Sequence, residues 1–160
     1  MNATQLHDQY LEDVALRRYP EDPEVPMPPG FSNEAGEIVN VLFARDLEIK
    51  ITSVALIHSV AGAIRSNHFH KTDWHFMIVV GGEMHYYWRT AGSSEEPRLK
   101  VFKPGQLMFT PPFVEHATYF PVPTTILTLA RNVRNHYEHE NDLVRVPLIK
   151  KAGKGVEFVR

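Results

Sequence analysis

Between Ile38 and Arg131 the chain alternates short apolar or β-branched runs with clusters of Gly, Pro, Asn and Ser. This pattern predicts strands over 37–43, 48–58, 64–70, 75–80, 83–89, 98–102, 106–110, 115–120 and 125–131. Many short strands at this spacing, with little helical periodicity between them, predict an all-β sandwich or barrel. The segment AGSSEEP (91–97) reads as a loop and Lys103-Pro104-Gly105 as a turn. Thr110-Pro111-Pro112 reads as a bend, because proline cannot donate to a strand ladder. No internal repeat or low-complexity segment interrupts the pattern.

The ends of the chain read differently. Over residues 4–18, Leu6, Tyr10 and Val14 recur at i, i+4 and i+8 with charges on the other faces, which predicts one short amphipathic helix ending before Pro20. A lone helix of that length is marginal in water, so its apolar stripe needs cover from the main body or from a partner subunit. EDPEVPMPPG (21–30) predicts an irregular connector. After Arg131, NVRNHYEHEND fits a helical turn or a loop, and VRVPLIK an edge strand. The expected organisation is a helix and proline-rich arm over 1–30, a β-barrel over 31–131 and an extension packing on it over 132–160.

Gly81-Gly82 is a two-residue hairpin signal. A hairpin there sets Val79 opposite Met84, Met77 opposite Tyr86 and His75 opposite Trp88, and paired residues share a face. His75, Met77, Val79, Met84, Tyr86 and Trp88 then line one face. Phe76, Ile78, Val80, Glu83, His85, Tyr87 and Arg89 line the other.

Composition narrows the class. A length of 160 residues fits one domain with a sizeable core. Zero cysteines exclude disulfides and thiolate ligands and fit a reducing compartment. A formal net charge of −2 argues against a nucleic-acid footprint. The basic tail KKAGK reads as solvated. The polar N-terminus has no signal-peptide core, and no apolar run approaches the ~20 residues that cross a bilayer, so the expectation is a cytoplasmic protein without a membrane partner.

Histidines carry the chemistry. GAIRSNHFHKTDWHFMIVVGG (62–82) holds His68, His70 and His75, and His116 follows in PPFVEH. His68 and His70 are two apart and share a strand face, and His75 opens the next strand. Three imidazoles from neighbouring strands, with a fourth from a distant one, outline a first-row metal site. Gly62, His68-x-His70, His75 and Gly82 resemble the first motif of the cupins in every spacing, with His75 where that family usually has Glu. The second motif is matched by Gly105, Pro111, Phe113 in a Gly slot, His116 and Phe120 in an Asn slot. The resemblance covers about residues 62–120. It implies a double-stranded β-helix, or jelly-roll barrel, and the metal ligand set His68, His70, His75 and His116. It also implies a homodimer, with the N-terminal arm as the expected contact.

Four neutral imidazoles leave a divalent metal its full charge, which favours an anionic oxygen ligand. Octahedral Fe, Mn or Ni keeps two open positions, whereas Zn would be largely saturated. Tyr86 is the candidate general acid or base, against the plainer reading of core packing. Met77, Trp88, Phe109 and Phe113 are candidate pocket walls. Asp73 and Glu115 are assigned to the surroundings of the ligands or to the surface. Arg65, three residues before His68, faces away in an unbroken strand, which argues against an anion-binding role. His136-x-x-His139, His7, His58 and His85 read as ordinary polar residues, although His58 ends a strand just before the motif.

The reading that follows is an enzyme performing metal-assisted isomerisation, epimerisation or lyase chemistry on a small, oxygen-rich anionic substrate. The resemblance extends to cupins acting on sugars or sugar nucleotides. An Fe(II) cupin dioxygenase is the alternative, and a non-catalytic, metal-stabilised ligand-binding module the second alternative.

Overall fold

The computed structural model describes residues 21–25, 27, 30–38, 51–133 and 136–159. The helix expected over 4–18, and most of the first expected strand with the start of the second, lie outside them. Two antiparallel five-stranded sheets face each other. The first has the order β1 (Glu24–Val25), β9 (Leu107–Thr110), β6 (His75–Gly81), β11 (Thr124–Ala130), β4 (Ser53–Ser59). The second runs β12 (Leu143–Arg145), β5 (Ala63–His70), β10 (Val114–Phe120), β7 (Met84–Thr90), β8 (Arg98–Phe102). From β4 to β11 the chain changes sheet at every connection except β7 to β8. This is the jelly roll that the cupin resemblance implies, and from β5 to β11 the strand positions agree with the sequence to within a residue, whereas β4, expected from residue 48, begins at Ser53.

The alternating pattern produces three layers of core. Met77, Val79, Met84, Tyr86, Trp88, Met108 and Ile126 meet between the sheets. Their alternating neighbours on the first sheet, Phe76, Leu107 and Phe109, pack outside it against Trp74 and Val25. Outside the second sheet, Tyr87, Ala117 and Tyr119 pack beneath Leu148 and Ile149 of the C-terminal segment. β10 is therefore buried on both faces. The hairpin β13 (Ile149–Ala152) to β14 (Gly155–Phe158) and the helix α1 (His136–Asp142) complete that segment.

Two expectations are corrected. The connector 21–30 is not wholly irregular: Glu24 and Val25 pair with Met108 and Leu107 at the edge of the first sheet. Pro23, which cannot donate to the ladder, stands immediately before this two-residue strand. A further short hairpin joins β2 (Phe31–Asn33) to β3 (Gly36–Ile38).

The second correction concerns Gly81-Gly82. β6 and β7 do not pair: β6 lies between β9 and β11, and β7 between β10 and β8. The glycines carry the chain across from one sheet to the other. At Gly82, φ is +92° and a Cβ would sit 2.5 Å from the Pro123 carbonyl oxygen, so only glycine fits the corner. The inward set of side chains is as parity predicts, but its members meet across the barrel rather than side by side.

Candidate metal centre

His68 and His70 stand on β5, His116 on β10 and His75 on β6. The two histidines farthest apart in sequence are nearest neighbours in the ladder, because His116 is the registered partner of His68. His75, close in sequence, comes from the opposite sheet. All four are buried. Ring centroids lie 4.7 Å apart for His68–His70, 4.8 Å for His68–His116, 5.4 Å for both His70–His75 and His75–His116, and 5.7 Å for His70–His116. They line a cavity of about 210 Å³ together with Met77, Thr118 and Arg65.

A divalent ion fits these donors. Nε2 of His68 and Nε2 of His70 are 3.2 Å apart. Two ligands on metal bonds of about 2.1 Å lie about 3.0 Å apart at a right angle and about 3.4 Å at the tetrahedral angle. The Nδ1 of His70 donates to Asp142 Oδ2 at 2.9 Å, and the Nδ1 of His116 to the Val114 carbonyl at 3.0 Å. Holding the proton on Nδ1 makes Nε2 the lone-pair nitrogen of each neutral ring. His68, His70 and His116 bring ligand atoms within 4.8 Å of one another, and so do His70, Asp73 and His75. The donors thus form two overlapping triads sharing His70, one of three imidazoles and one in which Asp73 joins His70 and His75.

Asp142 is the functional residue that sequence reading misses. It ends α1, 72 positions from His70, and no local pattern relates the two. Its carboxylate accepts from His70, from the Thr72 hydroxyl at 2.6 Å, and from the backbone N–H groups of Thr72 at 2.8 Å and Asp73 at 3.2 Å. Burial pushes this carboxyl up, but the hydrogen bonds from Thr72, His70 and Asp73 outweigh it and hold it below the usual carboxylate range. Asp73 is buried beside the ligands and accepts from Asn132 N at 2.9 Å. Glu115 is also buried, but it points out of the barrel to Arg89 at 2.6 Å and Gly92 N at 2.9 Å.

A bulge sets the remaining geometry. Ser66 and Asn67 both have left-handed backbones, φ 68° and 56°. The β10 partners step from His116↔His68 to Ala117↔Ser66, which leaves Asn67 as the extra residue. One extra residue inverts strand parity, so Arg65 lines the same cavity as His68. This corrects the expectation that Arg65 faces away. Asn67 holds the bulge through the C-terminal segment. Its Oδ1 accepts from Leu148 N at 2.9 Å and Ile149 N at 3.1 Å, and its Nδ2 donates to Ile149 O at 3.0 Å. Asn and Ser before His68 are a weak signal for such a step, since asparagine tolerates this conformation better than most residues.

Of the expected pocket walls, Met77 lines the cavity. Trp88 is buried in the inner core, as the β-partner of His116. Phe109 is corrected: it packs outside the first sheet with Trp74 and Phe76, because β9 turns it away from the barrel interior. Phe113 is also corrected. It is 57% exposed, its ring touching Phe69, and its φ of 56° is the one a Gly slot permits freely. Tyr86 is fully buried behind His116, ring centroids 6.0 Å apart, with its hydroxyl 3.0 Å from Thr110 Oγ1. It is not among the residues lining the cavity.

No protein-family model matches the sequence, and no curated protein matches it either. Solved structures do match in fold. A variant of the 3,4-ketoisomerase from Thermoanaerobacterium thermosaccharolyticum, in complex with TDP-4-keto-6-deoxyglucose, aligns with a TM-score of 0.61 at 16% identity, over 74% of this chain and 83% of that one. A 3,4-ketoisomerase from Helicobacter canadensis aligns at 0.62 and 15%, over 74% and 86%. A dTDP-4-dehydrorhamnose 3,5-epimerase from Sulfolobus tokodaii aligns at 0.58 and 14%, over 70% and 71%. The fold is the cupin jelly roll that the histidine motifs imply. Among the described residues no helix is long and apolar enough to cross a membrane.

Proposed function

We propose that this cupin-fold chain is a metal-dependent isomerase or epimerase acting on a small, carbonyl-bearing, carbohydrate-derived substrate. The observation that carries the reading is the convergence of four buried imidazoles on one cavity. The sugar isomerases and epimerases among the structural neighbours support the reaction class. His68, His70 and His116 would hold the ion, with His75 as fourth ligand. When bound, a divalent ion polarises a carbonyl and lowers the cost of removing the proton beside it. Asp142 keeps His70 in the tautomer that presents Nε2 to the cavity. Val114 does the same for His116. Met77 and Ile126 keep one wall dry, so each charge in the cavity is felt strongly. Tyr86, the acid or base expected from sequence, enters this reading as the ring that packs behind His116.

The His70–Asp142 pair favours a second reading. An imidazole whose Nδ1 is held by a carboxylate is the standard form of a general base, and here the half-buried Asp142 holds His70 while His70 lines the cavity. In that reading His70 removes the proton without a metal.

Both readings predict exchange of the hydrogen beside a ketone. The test incubates the chain in D2O with TDP-4-keto-6-deoxyglucose and with free ketoses, and follows deuterium incorporation by NMR under argon. Elemental analysis is made on the same samples before and after chelation. Exchange that disappears on chelation and returns with Fe, Mn or Ni supports the metal reading. Exchange that survives chelation supports the His70 reading. Turnover seen only in a parallel aerobic sample loaded with Fe(II) would give the site to a dioxygenase. Metal binding without any product leaves only a binding module.

A further inference from the structure

We infer that Arg65 is the anchor for an anionic group on the substrate, a carboxylate or phosphate held at one end while the reacting carbon reaches the imidazoles. The inference rests on the catalytic reading for its second half only: an anion site at Arg65 stands whether or not the histidines bind metal.

Three observations meet at this residue. The bulge at Ser66–Asn67 turns Arg65 into the histidine cavity, against the parity of a regular strand. Its guanidinium is already oriented, since Nε donates to Ser59 Oγ at 2.9 Å and one terminal nitrogen to the His58 carbonyl at 3.2 Å. Both acceptors are neutral. No carboxylate among the described residues pairs with Arg65.

The Arg65 side chain is exposed at the mouth of the cavity, and the cavity lining offers it no carboxylate. No Asp or Glu lines the cavity, whose titratable groups are the four histidines and Arg65. Arg65, Ser66 and His68 also border an adjoining open cleft of about 340 Å³. The acid there, Glu140, is taken by Arg145, one of whose terminal nitrogens donates to both carboxylate oxygens at 2.7 and 2.8 Å. Arg145 is thereby neutralised, while Arg65 is left as a fixed fork at the junction of cavity and cleft. A planar fork with its own partners behind it is suited to a carboxylate or phosphate in front, at little entropic cost. The cavity has the volume of about seven waters, which limits the reacting part of the ligand to a small fragment. The anionic end then lies where the cavity opens.

The test uses the full chain stripped of metal by chelator, so that no anion can bind through an ion. Inorganic phosphate and glycolate are titrated separately by calorimetry into the natural protein, Arg65→Gln, Arg65→Lys and Arg145→Gln. Circular dichroism checks that each variant is folded. The expected result is binding of at least one anion, weakened about 10- to 100-fold by Arg65→Gln. Arg65→Lys, which keeps the charge but not the fork, should recover part of it, and Arg145→Gln none of the loss. Preference for phosphate or for glycolate identifies which acid the site takes. The inference is overturned if neither anion binds, if Arg65→Gln binds both as the natural protein does, or if Arg145→Gln weakens binding equally. Metal content of the Arg65 variants, measured before stripping, should be unchanged and reports on the histidines independently.

Discussion

Replacing Asn67 tests how the cavity is built. Its side chain makes three hydrogen bonds to the backbone at Leu148 and Ile149, and its own backbone is left-handed. Asn67→Ala removes all three bonds and strands two N–H groups and one carbonyl; Ile149 and Leu148 are both buried. At about 0.5–1.5 kcal/mol each, the bonds account for about 1.5–4.5 kcal/mol. The left-handed backbone adds about 1–2 kcal/mol for alanine over glycine. The sum, about 2.5–6.5 kcal/mol, is a large part of the stability of an ordinary domain. Asn67→Gly loses the same bonds without the backbone strain, so it should be more stable than the alanine variant by about 1 kcal/mol. Urea unfolding followed by the fluorescence of Trp74 and Trp88, both buried, reads these differences. Both variants should also retain metal less well, because the bulge aims His68. A change below about 1 kcal/mol for Asn67→Ala, or a glycine variant less stable than the alanine one, would refute the account of the bulge given above.

Other substitutions separate the parts of the site. His68→Ala and His116→Ala should each lose most bound metal while the barrel stays folded, by elemental analysis and circular dichroism; full occupancy in both would show that the ligand set is wrong. Asp142→Asn should weaken metal binding about 10- to 100-fold in a chelator competition, because His70 loses its tautomer lock. In metal-free protein the lowered carboxyl of Asp142 contributes stability that is complete above its ordinary value near pH 4. That contribution is lost as pH falls through its lower folded value, so the Asn variant should show a flatter acid limb in pH-dependent unfolding. Gly82→Ala should cost about 2–5 kcal/mol from backbone strain and collision with Pro123 and Thr124. Gly105→Ala, at φ +83° with nothing within 4 Å, should cost only about 1–2 kcal/mol, and matched thermal melts compare the two. Tyr86→Phe should reduce turnover by less than ~10-fold if its hydroxyl serves only Thr110, whereas a general acid or base would lose about 100-fold or more.

Much of this protein is legible in its residues. Alternation of apolar and polar positions fixes the strands and their inward sides, since side chains project alternately wherever a strand is regular. That is why Met77, Val79, Met84, Tyr86 and Trp88 fall inside although the hairpin expected at Gly81-Gly82 does not exist. The histidine spacing likewise marks out the cluster at the candidate centre. Strand partnership is another matter. It depends on hydrogen bonds between segments tens of residues apart, and only the folded chain makes His116 the neighbour of His68 or carries Asp142 to His70. Arg65 shows the sharper limit. Its side of the sheet is decided by two left-handed residues, and those are held by Leu148 and Ile149 some 80 positions away, so a period of two read along the chain points it the wrong way. Regular local geometry belongs to the sequence; the interruptions that place Arg65 and orient His70 exist only because distant backbone groups stabilise them.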